Sequence, residues 1–124
     1  MKYSYLVFDL RVDEVPSAKS SELWITNLVE KLGFKVEAGA SKVFDKPKDA
    51  YSLVFALSAS HAAIHTFPEV RWINVVFAFC HKIPESVVDL AVSEFFCPLT
   101  KAIRSFDSVP PVLPSGVPST PSTM

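Results

Sequence analysis

The sequence predicts an α+β protein, a two-layer sandwich in which one antiparallel sheet has two helices packed on one face. Three observations carry this expectation. Apolar runs of strand length recur at residues 3–10, 34–44, 50–57 and 70–79. Two other stretches place apolar residues at helical spacing. Their order along the chain, β-α-β-β-β-α, groups strands together instead of alternating them with helices.

The first strand, residues 3–10, puts Tyr5, Val7 and Asp9 on one face and Leu6, Phe8 and Leu10 on the other. Residues 11–17 read as a polar connection in which Pro16 stops the strand and Ser17 is placed to cap a helix. Trp24, Ile25, Leu28, Val29 and Leu32 form the stripe of that helix. Gly33 stands where helices commonly end in a left-handed residue. Residues 34–44 read as a second strand with a soft centre at Ala38-Gly39-Ala40, closed by a charged turn around Pro47. The third strand, residues 50–57, is the most apolar up to that point, and the run 70–79 is apolar on both faces apart from Asn74. Pro84 suits the first turn of a second helix, whose stripe is Val87, Val88, Ala91, Val92 and Phe95, and Pro98 ends it. Residues 99–106 fit either a last edge strand or an extension of that helix.

Composition sets the domain plan. A chain of 124 residues, 49% hydrophobic and with 10 Phe, holds one domain with a substantial core, assigned to residues 1–108. Residues 109–124 carry Pro110, Pro111, Pro114, Pro118 and Pro121 among Ser, Thr and Gly, and are expected to be disordered. The net charge of −1 gives no footprint for nucleic acid or an anionic membrane. No apolar run approaches the roughly 20 residues of a membrane span. The N-terminus has no signal-peptide cleavage site, and the cysteines, Cys80 and Cys97, form no disulfide framework; a reduced, cytoplasmic, soluble protein is expected. One sheet face would keep apolar residues uncovered by helices, which calls for a homodimer.

The stretch Ser58-Ala59-Ser60-His61-Ala62-Ala63-Ile64-His65-Thr66-Phe67-Pro68-Glu69 stands apart. Two serines, two histidines and a glutamate lie between two apolar runs, which reads as a reactive turn rather than a core strand. Ser60 is a nucleophile if a base is held near it, and His61 and His65 are the bases at hand. Equally, the serines can cap a turn and the histidines be ordinary loop residues; no Gly-x-Ser-x-Gly elbow is present. Cys80 is either a buried structural thiol or an acid or nucleophile. Cys97, within Phe95-Phe96-Cys97-Pro98, reads as core. His61, His65, Cys80 and His81 lack the spacing of a structural zinc site.

Taken together, Ser58-Ala59-Ser60-His61, Ile64-His65-Thr66-Phe67-Pro68-Glu69 and Cys80 resemble the pyruvoyl-dependent S-adenosylmethionine decarboxylases of bacteria and archaea. The likeness extends more weakly from about residue 3 through the second helix. It implies self-cleavage between Ala59 and Ser60. The Ser60 hydroxyl would attack the Ala59 carbonyl, elimination from the resulting ester would release the upstream chain, and hydrolysis of the dehydroalanine left behind, with loss of ammonia, would leave a pyruvoyl group in place of Ser60. That carbonyl forms a Schiff base with the substrate and takes up the electrons freed by loss of CO2. The resemblance assigns processing to His65 with help from Ser52, reprotonation of the product to Cys80, and substrate contacts to Phe67 and Glu69, with Phe44 the nearest counterpart of a further aromatic. It implies a dimer with active sites near the subunit interface and a place in spermidine synthesis.

The chain departs from that family pattern. Ala59 replaces a glutamate, Val76 replaces an acidic residue, and His81 replaces a glycine. The acyl shift uses a backbone carbonyl, so Ala59 does not forbid it. Two other readings follow from the departures: an uncleaved binding or regulatory subunit, and a pyruvoyl decarboxylase of another amino acid such as arginine.

Overall fold

A computed structural model describes residues 4–106 of the chain. The stretch 109–124, expected to be disordered, lies outside the described residues. The chain runs β1 Ser4–Arg11, α1 Ala18–Lys31, β2 Val36–Val43, β3 Tyr51–Leu57, β4 Ser60–Phe67, a short 3₁₀ turn Pro68–Val70, β5 Trp72–Phe79, α2 Glu85–Phe96 and β6 Thr100–Phe106. The strands form one six-stranded sheet in the order β2-β3-β4-β5-β1-β6, and every neighbouring pair is antiparallel.

Alternation along each strand sorts side chains between the two faces. Leu6, Phe8 and Leu10 of β1, Leu53, Phe55 and Leu57 of β3, Ala62 and Ile64 of β4, and Ile73, Val75, Phe77 and Phe79 of β5 are buried in one core with the helices. Ile25, Leu28 and Val29 of α1 and Val88, Val92 and Phe96 of α2 complete it. Each large side chain buried there contributes about 1.5–3 kcal/mol. Both helices therefore cover the same sheet face, as the sequence predicts.

The helix ends follow their local chemistry. Ser17 caps α1, its Oγ accepting the Ser20 N–H at 3.2 Å. Gly33 follows with φ +96°, a left-handed conformation that suits a residue without Cβ. Pro84 precedes α2 as expected. The α2 stripe is rotated from the predicted one. Val88, Val92 and Phe96 are buried, Val87 is exposed, and Phe95 stacks on Trp24 at 4.9 Å in the seam between the helices. At about 100° per residue Val87 and Phe96 lie on opposite sides of the helix, so burying Phe96 with Val88 and Val92 leaves Val87 facing outward.

Three further expectations are corrected or settled. Residues 60–67 are not a turn but the strand β4, which lies inside the sheet. Its polar groups are tolerated because Ser60, His65 and Thr66 meet partners fixed by the sheet and His61 is exposed. Thr66 Oγ1 accepts the Tyr51 N–H at 2.9 Å and donates to the Asp49 carbonyl at 2.6 Å. Cys97 is exposed, not core: it ends α2 in a left-handed conformation, φ 48°, which turns the chain away from the helices. Residues 100–106 form the edge strand β6 beside β1.

The opposite sheet face carries no helix among the described residues. Tyr5, Val7, Val54, Ala56, Ala63, Phe67, Trp72, Val76 and Phe106 lie on it, and Val54, Phe67, Trp72 and Phe106 are exposed.

Candidate active site

Strand β4 positions the candidate residues at its two ends. At its start the chain reverses from β3 through Ser58 and Ala59 alone, since Leu57 pairs with Ser60. Ala59 closes that reversal with φ 55°. The second residue of such a turn is usually Gly or Asn, because a Cβ crowds the backbone in the left-handed region. The alanine conformation therefore stores strain on the order of 1–2 kcal/mol. The strained residue is the one whose carbonyl precedes Ser60.

Ser60 Oγ accepts the Cys80 backbone N–H at 2.8 Å. A donor aimed at this oxygen favours negative charge on it, which is what an attacking hydroxyl develops. The Cys80 thiol donates in turn to the Ser58 carbonyl at 3.6 Å. The end of β5 thus holds a backbone donor and a thiol proton beside the turn. Sequence spacing alone gave no sign of this, because the partners lie 20 and 22 residues apart.

The other end of β4 carries His65. It stands opposite Ser52 of β3, and its Nδ1 lies 2.9 Å from Ser52 Oγ. On its other side it faces Asn74 of β5, which pairs with Asp9 of β1. Asn74 Nδ2 donates to Asp9 Oδ1 at 2.9 Å, and Arg104 Nη2 donates to Asp9 Oδ2 at 2.8 Å. A polar row thus crosses an otherwise apolar face. Beside it opens a cavity of about 460 Å³ lined by Asp9, His65, Phe67, Val70, Trp72, Ile73 and Asn74. Phe67 and Trp72 are cross-strand partners and form an aromatic pair of walls.

The two clusters do not meet within one chain. Ser60 and His65 are five residues apart on an extended strand, which separates them by about 16 Å. The odd spacing also sends them to opposite faces: Ser60 shares its side with the core residues Ala62 and Ile64, and His65 shares its side with His61, Ala63 and Phe67. His61 is exposed and also points away from Ser60. Glu69 is exposed in the 3₁₀ turn and outside the cavity lining, although Phe67, two residues before it, and Val70, the next residue, both line the cavity. Phe44 follows β2 at the sheet edge, exposed, with Lys42 Nζ 5.8 Å from its ring centre. His81 packs against Phe34, with ring centres 5.7 Å apart. Val76 faces Val7 and Ala63 in the apolar centre of the open face.

Asp9, Asn74 and Trp72 escaped sequence reasoning as site residues. The only available signal was period two: Asp9 and Asn74 are the polar residues in two apolar strand runs. Among the described residues, no three His, Cys, Asp or Glu side chains come together as a metal ion would require. No described helix is long and apolar enough to cross a membrane.

No curated protein matches the chain in sequence. Among solved structures, the chain is similar to the adenosylmethionine decarboxylase from Aquifex aeolicus VF5, with TM-score 0.69 and 16% identity over 93% of this chain and 97% of that one. At that identity the likeness establishes the fold. The sequence profile described as S-adenosylmethionine decarboxylase matches residues 7–104, which span β1 to β6 and every candidate residue named above. With the profile covering that much of it, the chain belongs to the S-adenosylmethionine decarboxylase family.

Proposed function

We propose that the chain is a self-processing, pyruvoyl-dependent decarboxylase of S-adenosylmethionine that acts as a cytoplasmic homodimer and supplies aminopropyl groups for spermidine synthesis. The observation that carries this reading is the arrangement at the Ala59–Ser60 bond. A strained residue precedes the serine, and a backbone N–H is aimed at its hydroxyl oxygen. Both favour attack of that oxygen on the neighbouring carbonyl.

The residues present fit a pyruvoyl group at position 60. The Cys80 N–H is the donor for an oxygen there, and the Cys80 thiol is a proton source at the same end of the sheet. Once formed, the group supplies the electron-withdrawing carbonyl that decarboxylation of an amino acid needs. The chain's own residues do the rest. Cys80 returns a proton to the product, and the cavity walls Phe67 and Trp72 hold a flat, apolar ring.

The remote position of His65 determines the assembly in this reading. A base 16 Å away, by the strand rise of about 3.3 Å per residue, cannot serve Ser60 of its own chain. A second copy laid on the open face covers the exposed apolar residues, and in this reading its Ser52–His65 pair reaches round the sheet end to the Ala59–Ser60 turn, which lies at the margin between the two faces. The test is complementation. Co-expressed Ser60→Ala and His65→Ala chains are purified as a mixed dimer and weighed intact. The His65→Ala chain should split between Ala59 and Ser60, because its partner supplies the histidine. Two uncut chains in the mixture, beside a wild type that splits, would reject the shared site.

The same separation favours a second reading, an uncleaved binding subunit, should the chain act alone. A wild-type chain that stays whole after long incubation would reject the self-processing enzyme and favour this reading.

A further inference from the structure

The cavity beside His65 has one carboxylate in its lining, Asp9, and nothing in the chemistry of self-cleavage requires it. A carboxylate on an apolar sheet face is costly unless it has work to do or partners to satisfy it. Asp9 has two partners, and they differ in kind. Asn74 is its cross-strand neighbour, half-buried, and holds Oδ1 at 2.9 Å. Arg104 reaches Oδ2 from the edge strand β6, with about 63% of its side chain exposed against 35% for Asp9. The neutral amide fixes where the carboxylate points without cancelling its charge. The guanidinium cancels it, but from the solvent side, where an ion pair contributes little.

We propose that Asp9 selects a positively charged ligand in this cavity, of the class in which a cationic sulfur sits between an adenosine and an amino-acid chain. The inference rests on the decarboxylase reading for the identity of the ligand and deepens it by naming the residue that discriminates charge. Phe67 and Trp72 accept the apolar part, and neither tells a sulfonium from a thioether of the same shape as sharply as a full negative charge does. A carboxylate has about four lone-pair sites, and two are occupied here, so Asp9 retains capacity towards the cavity. Arg104 is then an internal competitor. Removing it strengthens the field that Asp9 exerts on the cavity.

Two probes isolate the charge. 5′-Dimethylsulfonio-5′-deoxyadenosine and 5′-methylthio-5′-deoxyadenosine differ by one methyl group and one positive charge. Neither carries the α-amino acid group that decarboxylation needs, so neither is turned over. Titration calorimetry on the full chain as purified should show the sulfonium binding about tenfold more tightly than the thioether, a difference of one power of ten in affinity. Asp9→Asn should reduce the preference to about twofold or less, and Arg104→Gln should raise it about threefold, with thermal midpoints confirming folded protein. The opposite signs separate a charge effect from damage to the fold, which would lower both. Absence of binding or of preference in the wild type, retention of preference in Asp9→Asn, or a fall in Arg104→Gln would overturn the inference. Intact mass of the same wild-type sample reports cleavage independently. An uncut chain that prefers the sulfonium keeps this inference and rejects the decarboxylase.

Discussion

Ser52 and His65 face each other across β3 and β4, with the serine Oγ 2.9 Å from the imidazole Nδ1. The bond occupies Nδ1 and makes Nε2 the nitrogen available for proton transfer. In the proposed dimer that nitrogen serves the partner's processing site. Ser52→Ala should therefore slow cleavage of the Ala59–Ser60 bond by about tenfold. His65→Ala should remove the larger acid–base contribution, about 10²-fold or more. Time courses of intact mass at fixed pH check both. Equal rates in Ser52→Ala and wild type would remove Ser52 from the processing machinery.

The turn before Ser60 gives a prediction of opposite sign. Glycine at position 59 relieves the left-handed strain and costs only extra chain entropy, a net stabilisation of about 0.5–1 kcal/mol. On a Ser60→Ala background, where no cleavage intervenes, Ala59→Gly should raise the thermal midpoint. With Ser60 restored, the same change should slow self-cleavage, because the strain released on breaking the bond is gone. A faster Ala59→Gly chain would show that strain plays no part.

Cys80 contributes two groups with separate fates. Its backbone N–H bonds Ser60 and survives any ordinary substitution, whereas its thiol does not. Cys80→Ala should leave cleavage within about twofold of wild type while reducing CO2 release by 10²-fold or more, the usual range for a lost general acid. Measuring fragment formation and labelled CO2 on one preparation separates the two roles.

Tyr51 sets an alkaline limit on stability. Its hydroxyl donates to the Pro16 carbonyl at 2.8 Å, lies 2.7 Å from Ser21 Oγ, and so ties β3 to the start of α1. Burial raises the phenol above its ordinary value of 10.0, Asp49 adds to the rise, and the Ser21 hydrogen bond opposes it. The folded state therefore holds its proton more tightly than the unfolded chain. The stability from the neutral phenol is intact below pH 10 and is lost as pH climbs through the raised folded value. Denaturant midpoints should fall above pH 10 more steeply in wild type than in Tyr51→Phe. At neutral pH that variant should be less stable by about 1–3 kcal/mol, for the buried Ser21 hydroxyl and Pro16 carbonyl left without their partner.

The open face predicts its own disruption. Val76 lies at its centre between Ala63 and Val7. Val76→Lys should leave a folded monomer by light scattering and suppress cleavage with it, since a charge buried between two sheets costs several kcal/mol. A cleaved monomer would show that one chain suffices.

Much of this architecture was legible in local signals. Ser17, Gly33 and Pro84 bracket the helices because each satisfies or frees the backbone groups that a helix end exposes. The alternation of β1 separated Leu6, Phe8 and Leu10 from Tyr5, Val7 and Asp9, because side chains leave a strand with a period of two, and the structure buries the first set. The unusual cluster from Ser58 to Glu69 also stood out by residue type, and it holds the candidate residues Ser60 and His65. Three features were not legible. The cluster was read as a turn because its polar residues had no visible partners, and those partners, Cys80, Tyr51 and Ser52, come from other strands. The rotation of α2 depends on Trp24, about 70 residues away along the chain, and so do the roles of Phe95 and Phe96. The Asp9–Asn74 bond joins residues 65 positions apart.

By itself, the sequence determined the fold class, most of the elements, the strand alternation and which few residues are candidates for the chemistry, since periodicity, capping and residue type act within a turn or a strand. Tertiary structure alone decided which of those residues meet. Register across the antiparallel sheet placed Ser60 beside Cys80 and His65 beside Ser52, and an odd spacing on one extended strand kept the two pairs on opposite faces.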